Sequence, residues 1–242
     1  MKVHLLNFTS EKEKKNNMDH IICAICLLIG YFFGCFQTAY FLGKLRNVDI
    51  RKKGSGNLGT TNMFRVMGAK AGLITFLGDI AKVFIAVGIV YLIFKTGFRT
   101  EIPRITLFLY TGFGAVLGHD FPFYLGFNGG KGVAATAAAW LTIWDWHLII
   151  IGVAVFFAVA FATKYVSLAS LCLAGVFFIV FTIFSFIGIV GPDGIWRVEN
   201  IIIVFLMSAL IFYKHRTNIV RLLKGEENKF KIKKTDKRRN DS

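Results

Sequence analysis

The sequence predicts an all-α, polytopic membrane protein, and three observations lead to this prediction. The chain of 242 residues is 55% hydrophobic, and its apolar residues form long runs. Several of these runs approach the roughly 20 residues that a helix needs to cross a bilayer. The net charge of +15 comes mainly from lysines and arginines in the connections and the tail, where basic residues determine membrane topology. We therefore expect membrane lipid, and not nucleic acid, to be the partner of this charge.

Seven apolar segments are predicted to be transmembrane helices, and one of them is short. They are 21–42, 71–94, 105–117, 133–142, 147–162, 167–190 and 198–213. The segment 133–142 is too short to span alone, and its small residues predict a close-packed partial helix. If 133–162 is re-entrant, five crossings are the alternative.

The distribution of charge predicts the orientation. With seven crossings and the N-terminus outside, 20 of the 29 lysines and arginines fall on one face. The positive-inside rule makes that face cytoplasmic, so we expect a cytoplasmic C-terminus in the cell membrane. Three regions are predicted: a disordered extension (1–17), a single membrane domain (18–227) and a disordered basic tail (228–242). Translation could begin at Met1 or at Met18.

A polar stretch rich in glycine, residues 52–68 (KKGSGNLGTTNMFRVMG), interrupts the apolar pattern after the first segment. We call it the first glycine loop. Glycine permits positive φ and lets successive backbone N–H groups converge on an anion, and arginine adds a planar fork suited to phosphate. The candidate phosphate ligands are Lys53, Ser55, Gly56, Asn57, Thr61, Asn62 and Arg65.

A second glycine loop, residues 118–132 (GHDFPFYLGFNGGKG), precedes the short segment. It is not a Walker A motif, because Gly132 stands where that motif has Ser or Thr. It nevertheless brings Gly129, Gly130 and Lys131 to a helix N-terminus, which favours an anion. His119 is a candidate substrate ligand, with a packing role as its alternative.

Other polar residues lie at helix ends or inside apolar segments. Asp79 and Lys82 share one helical face, which predicts an internal ion pair. Ser167 and Ser170 are predicted either to cap a helix or to contact substrate. The segment His215–Glu227 either anchors the last helix on anionic lipid or lines the site.

The sequence contains few groups for covalent or general-base catalysis. No histidine is followed by aspartate five residues later, and neither a GxSxG nor an HExxH motif is present. The four cysteines all lie in apolar segments, so neither a disulfide nor a metal site is predicted. An enzyme with these residues would need an already activated substrate, and we expect no cofactor.

Three blocks together resemble a known family: SGNLGTTN followed by Arg65, GHDFP with GFNGGKGVAAT, and KYVSLAS. From about Met18 to Glu227, the chain resembles the bacterial membrane glycerol-3-phosphate acyltransferases that use acyl phosphate, the PlsY family. Two departures are Thr60, where the pattern usually has alanine, and the extra lead before Met18.

The resemblance implies transfer of a fatty acyl group from acyl phosphate to the 1-position of glycerol 3-phosphate, giving lysophosphatidic acid and phosphate. It implies that Ser55, Asn57, Arg65 and Lys131 bind the phosphates. His215 and Asn218 would complete the glycerol phosphate pocket, and Ser55, Lys131 and Asn218 are the expected catalytic residues.

Two other functions remain open. A transporter of a small anion or phosphate ester would also use glycine loops and basic helix ends, although such proteins usually contain inverted repeats. The two loops differ in length and order, which does not favour a repeat. A membrane subunit that only senses phosphate esters is the third alternative. For the assembly, the expectation is a monomer.

Overall fold

The computed structural model describes residues 2–96 and 100–230, with side chains from residue 17 onward. The regular structure within these residues is helical, which confirms the predicted fold class. The α-helices are α1 (Lys2–Gly34), α2 (Thr38–Leu45), α3 (Thr60–Met67), α4 (Ala69–Thr96), α5 (Arg104–Asp120), α6 (Val133–Leu141), α7 (Trp146–Thr163), α8 (Val166–Phe186), α9 (Ile195–Lys214) and α10 (Arg216–Leu223). Two single-turn 3₁₀ helices lie at Ile50–Lys52 and Phe123–Leu125.

Five stretches of the described chain are long and apolar enough to cross a membrane. They are Asn17–Leu45, Ala69–Thr96, Trp146–Thr163, Val166–Phe186 and Ile195–Lys214. The helix α5 has 17 residues and α6 has nine. Nine residues rise only about 14 Å, less than half of a hydrocarbon core of about 30 Å. The total of seven crossings therefore stays a prediction.

Helices α1 and α5 approach each other until their backbones touch. Gly30 and Gly34 of α1 face Gly114 and Gly118 of α5 across this contact. A Cβ atom added to any of the four would lie 1.9–2.1 Å from a backbone carbonyl oxygen of the other helix. Small residues permit such close approach in membrane proteins, where helix association depends on packing.

The first apolar segment, 21–42, is not one continuous helix. The helix is interrupted between α1 and α2, which leaves backbone carbonyls without helical partners. Two side chains from elsewhere satisfy them: the Tyr124 hydroxyl donates to Cys35 O at 2.8 Å, and Lys82 Nζ donates to Phe36 O at 2.8 Å. Irregular backbone at membrane depth is tolerated where protein groups supply such partners.

Helix α1 also extends further toward the N-terminus than the sequence analysis expects. The backbone of residues 2–17 is part of this helix, where a disordered extension is predicted. These residues contain neither glycine nor proline, so nothing in the segment interrupts a helix. The basic tail beyond residue 230 lies outside the described residues, and the limits of the three regions stay predictions.

Candidate active site

The two glycine loops lie at the same end of the helix bundle. Leu125 of the second loop packs into an apolar cluster that contains Ile50, Leu58 and Met63. The last two of these residues belong to the first loop and α3. Although 49 residues separate the loops in the chain, this cluster holds them next to each other.

The first glycine loop folds around the buried amide of Asn62. Its Oδ1 accepts a hydrogen bond from the Ser55 backbone N–H at 2.9 Å. Its Nδ2 donates to Lys53 O at 3.1 Å and to Asn57 O at 3.0 Å. Both ends of the amide therefore stabilise the loop itself. Substrate binding by Asn62 stays a prediction, as it does for Thr61.

Backbone conformation explains one of the glycines in this loop. Gly56 has φ of 71°, which side chains other than glycine rarely adopt. Its N–H donates to Lys53 O at 3.0 Å and closes a turn. The side chain of Ser55 is exposed beside this turn.

The second glycine loop folds back onto the end of α5. The Gly129 N–H donates to Asp120 O at 3.2 Å, and the Gly130 N–H donates to His119 O at 3.0 Å. Gly132, with φ of 68°, is the N-cap of α6. The predicted placement of Lys131 at a helix N-terminus is therefore confirmed.

Lys131 belongs to a polar cluster of five side chains. Its ammonium donates to Asn218 Oδ1. The carboxylate of Glu227 accepts from Asn218 Nδ2 at 2.8 Å, Arg221 Nε at 2.8 Å and Ser167 Oγ at 3.2 Å. We call Lys131, Ser167, Asn218, Arg221 and Glu227 the Glu227 cluster. It joins the second loop, the start of α8 and α10.

A cavity of about 550 Å³ lies next to the Glu227 cluster. It is lined by Arg65, Tyr165, Gly225, Glu227, Asn228 and Lys229. The volume lies within the range of small-molecule sites, about 300–1,000 Å³. Through Arg65 of α3, this cavity connects the first loop to the cluster that contains Lys131.

The Glu227 cluster contains two basic side chains, Lys131 and Arg221, and one carboxylate, Glu227. Burial lowers the pKa of Lys131 to about 8; Glu227 opposes this shift, whereas Arg221 and Arg65 add to it. Partial burial raises the pKa of Glu227, but the hydrogen bonds from Arg221 and Asn218 outweigh it and leave the pKa below its usual value. Glu227 is therefore an anion that already pairs with Arg221.

His215, at the end of α9, is buried and neutral. Burial, followed by the charge of Lys131, lowers its pKa to about 4. Its Nδ1 lies 2.9 Å from Ile211 O. Because a carbonyl oxygen can only accept, Nδ1 carries the proton and Nε2 is left as a hydrogen-bond acceptor. Such a nitrogen can accept a hydrogen bond from a hydroxyl group.

A second polar group is buried behind the second glycine loop. Lys82 Nζ lies 3.1 Å from Asp79 Oδ1, which confirms the predicted ion pair. His119 Nδ1 lies 2.7 Å from the same ammonium. Only 3% of His119 is exposed, which leaves little of its surface for a substrate. Its contact with substrate stays a prediction.

The structure brings some of the predicted residues together and leaves others apart. Lys131, Ser167 and Asn218 are joined through hydrogen bonds, whereas Ser170 Oγ donates to Val166 O within its own helix at 2.8 Å. Ser55 and Lys131 share no hydrogen-bond partner among the described residues: the Ser55 N–H donates to Asn62, and the Lys131 ammonium donates to Asn218.

Sequence reasoning missed the importance of Glu227. The available signal was an acidic pair directly after Gly225, which has φ of 72° and ends α10. A turn at that point returns the chain toward the site. Hydropathy alone does not show where a returning segment docks.

Comparisons with known proteins show the family to which the chain belongs. A family model described as glycerol-3-phosphate acyltransferase matches residues 24–225. A glycerol-3-phosphate acyltransferase of Staphylococcus saprophyticus is 41% identical over 216 residues, covering 87% of this chain and 99% of the relative. One from Bacillus subtilis is 35% identical over 212 residues, with the same shares covered.

Two crystal structures of PlsY, an integral membrane glycerol 3-phosphate acyltransferase, are also similar. The glycerol 3-phosphate form has a TM-score of 0.71 and 32% identity, covering 86% of this chain and 96% of that one. The lysophosphatidic acid form has a TM-score of 0.69 and 31% identity, covering 86% and 95%. This integral membrane protein therefore belongs to the glycerol-3-phosphate acyltransferase family.

Proposed function

We propose that the protein transfers a fatty acyl group from acyl phosphate to the 1-position of sn-glycerol 3-phosphate. The products are lysophosphatidic acid and inorganic phosphate. The observation that supports this most is the Glu227 cluster beside the cavity lined by Arg65. Arg65 of the first glycine loop lines this cavity, and the adjoining cluster adds Lys131 of the second loop and Arg221 of α10, which supports a site for two phosphates.

The proposed reaction needs little chemistry from the protein. The substrate hydroxyl oxygen attacks the acyl carbonyl carbon, the bond from that carbon to the phosphate oxygen breaks, and phosphate leaves. The departing phosphate takes the hydroxyl proton. Lys131 and Arg65 offset the repulsion between the two phosphates, and Ser55, Asn218 and the free Nε2 of His215 orient the hydroxyl.

Purified protein in lipid nanodiscs tests this function directly. We expect phosphate release and a lysophosphatidic acid product when both acyl phosphate and glycerol 3-phosphate are present. Omitting either substrate is the control, and acyl-CoA replaces the donor in a parallel reaction. Product from acyl-CoA but not from acyl phosphate would refute the proposed donor, and uptake of glycerol 3-phosphate into vesicles without lipid product would favour a transporter.

Arg65→Ala should lower the rate at subsaturating glycerol 3-phosphate by about 10- to 150-fold. This corresponds to the loss of one charge-assisted hydrogen bond, about 1.5–3 kcal/mol. The matched control is Arg51→Ala, because Arg51 lies at the same end but is exposed and paired with Asp49 at 3.0 Å. Wild-type kinetics for Arg65→Ala would contradict the proposed role.

Binding of glycerol 3-phosphate should weaken as the pH rises above about 8. A phosphate dianion binds the charged form of Lys131, whose pKa is about 8 in the free site. Deprotonation then costs up to about tenfold in affinity for each pH unit. We expect KM for glycerol 3-phosphate to rise between pH 8 and pH 9.5, where the substrate phosphate is already dianionic. Lys131→Arg, which keeps its charge, should remove this rise, and a flat wild-type profile would contradict the assignment.

The same proposal includes a topology. Seven segments cross the plasma membrane, with α1 and α2 counted as one and α4 to α9 as the other six. The N-terminus lies outside, and the site faces the cytoplasm, where phosphorylated metabolites occur. Protection of a C-terminal epitope in intact cells, together with exposure of an N-terminal one, is the expected result; the reverse pattern would refute it.

A further inference from the structure

We propose that Lys82 and Asp79 are positioning residues that fix the ring of His119 beneath the second glycine loop, with its Nε2–H toward Gly130. Through this contact they fix the position of the second glycine loop, which carries Lys131, relative to the end of α5. The inference rests on the proposed function, in which Lys131 binds phosphate. It assigns a role to an ion pair inside the bundle that the proposed reaction does not itself use.

The geometry around the ammonium determines which nitrogen of His119 carries the proton. Lys82 Nζ lies 2.8 Å from Phe36 O, 2.7 Å from His119 Nδ1 and 3.1 Å from Asp79 Oδ1. A charged ammonium has three N–H groups and no lone pair, so it donates to Phe36 O and His119 Nδ1 and forms an ion pair with Asp79. His119 Nδ1 must then be an acceptor, and the proton lies on Nε2.

The competing arrangement fits the distances less well. His119 Nδ1 is 3.5 Å from Asp79 Oδ1, too long for a good N–H···O bond. A proton on Nδ1 would also point at the Lys82 ammonium at 2.7 Å, where two donors would collide. Side-chain exposures of 4% for Lys82 and 2% for Asp79 place both groups away from bulk solvent.

The other edge of the ring meets the glycine loop. A Cβ atom on Gly130 would lie 1.9 Å from His119 Nε2, and one on Gly129 would lie 2.0 Å from His119 O. The Gly130 N–H also donates to that carbonyl. The ring and backbone of His119 thus form the floor of the loop, and Lys131 follows directly.

The same residues also connect to the break between α1 and α2. Gln37 Nε2 donates to His119 O at 2.9 Å, and Lys82 holds the carbonyl of Phe36. The break and the glycine loop are therefore fixed to one buried group. Displacement of a binding group by about 1 Å can cost 100-fold in rate. We therefore expect rotation of the His119 ring to displace Lys131 and to lower the rate.

The first experiment measures the tautomer without any substrate. ¹⁵N NMR of histidine-labelled protein in detergent micelles, with the His119 signals assigned by their loss in His119→Gln, should show a neutral ring protonated on Nε2. A ring protonated on Nδ1 would overturn the proposal. This measurement does not depend on activity, so it separates failure of the positioning role from failure of the proposed reaction.

The second experiment removes the pair without leaving a buried charge. Removing one partner alone would leave the other as an unpaired buried charge. The variant is therefore the double substitution Asp79→Leu with Lys82→Met. We expect kcat/KM for glycerol 3-phosphate to fall by about 10- to 100-fold and the His119 signals to show a mixture of tautomers. The control is Tyr110→Phe. Tyr110 lies on α5, nine residues before His119, and the substitution removes a partly buried hydrogen bond from its hydroxyl to Glu199 of α9. Wild-type kcat/KM in the double variant would overturn the proposal.

Discussion

Lys131→Met should lower kcat/KM for glycerol 3-phosphate by about 100- to 1,000-fold. Removal of one preorganised donor from a site of developing charge costs about 2.7–4 kcal/mol, and the lysine is placed at the N-terminus of α6, where it supplements the helix dipole. Methionine keeps most of the length and the apolar stem. Initial rates of lysophosphatidic acid formation across a range of both substrates measure the effect.

Lys70→Met is the matched control for this substitution. Lys70 is exposed at the start of α4, so its loss changes the net charge by the same amount without touching the cluster. It should retain the wild-type rate. If both variants lose the same activity, the effect comes from overall charge, and the local role of Lys131 is wrong.

Gly114→Ala should destabilise the protein by about 1–3 kcal/mol, the usual cost of overpacking a close contact. The added Cβ would lie 2.0 Å from Leu27 O of α1, well inside any permitted contact, so α1 and α5 must separate. That movement also strains the hydrogen bond from the Tyr31 hydroxyl to Phe121 O, 2.9 Å long, at the same interface. Thermal unfolding in detergent micelles measures the loss.

Two other helical glycines provide the comparison. Gly88 of α4 and Gly175 of α8 have no heavy atom within 4 Å of an added Cβ. Alanine at either position should leave the unfolding temperature unchanged or slightly higher, because alanine is the better helix former. A Gly114→Ala protein as stable as these two would show that the contact between α1 and α5 tolerates separation.

Much of the fold and part of the site could be predicted from the sequence. Hydropathy located the long helices, and the pattern at 126–132 placed the N-terminus of α6 after Gly132. These predictions succeed because each depends on local properties: apolar length in the first case, and glycine followed by small helix-forming residues in the second. The ion pair of Asp79 and Lys82 was also predictable, since charges inside an apolar helix need a partner.

The features that sequence reasoning missed depend on contacts between distant segments. The break after α1 exists because Lys82 and Tyr124 reach its carbonyls from 46 and 89 residues away along the chain. The helix α3 forms inside the first glycine loop. Its apolar face, which includes the buried Met63, is short and is hard to recognise in a sequence segment that is mostly polar. Neither feature changes the average hydropathy that defines a segment.

The carboxylate of Glu227 also has a consequence for selectivity. It is a tethered competitor, held two residues beyond the turn at Gly225, and tethering over so short a distance gives an effective concentration in the millimolar range or above. An incoming anion must displace it from Asn218 and Arg221 before it can use them. In the proposed function, a doubly charged phosphate ester compensates for the lost contacts of Glu227 better than a monovalent ion such as chloride does. A cationic site can in this way stay unoccupied by common salts and still accept its scarcer ligand.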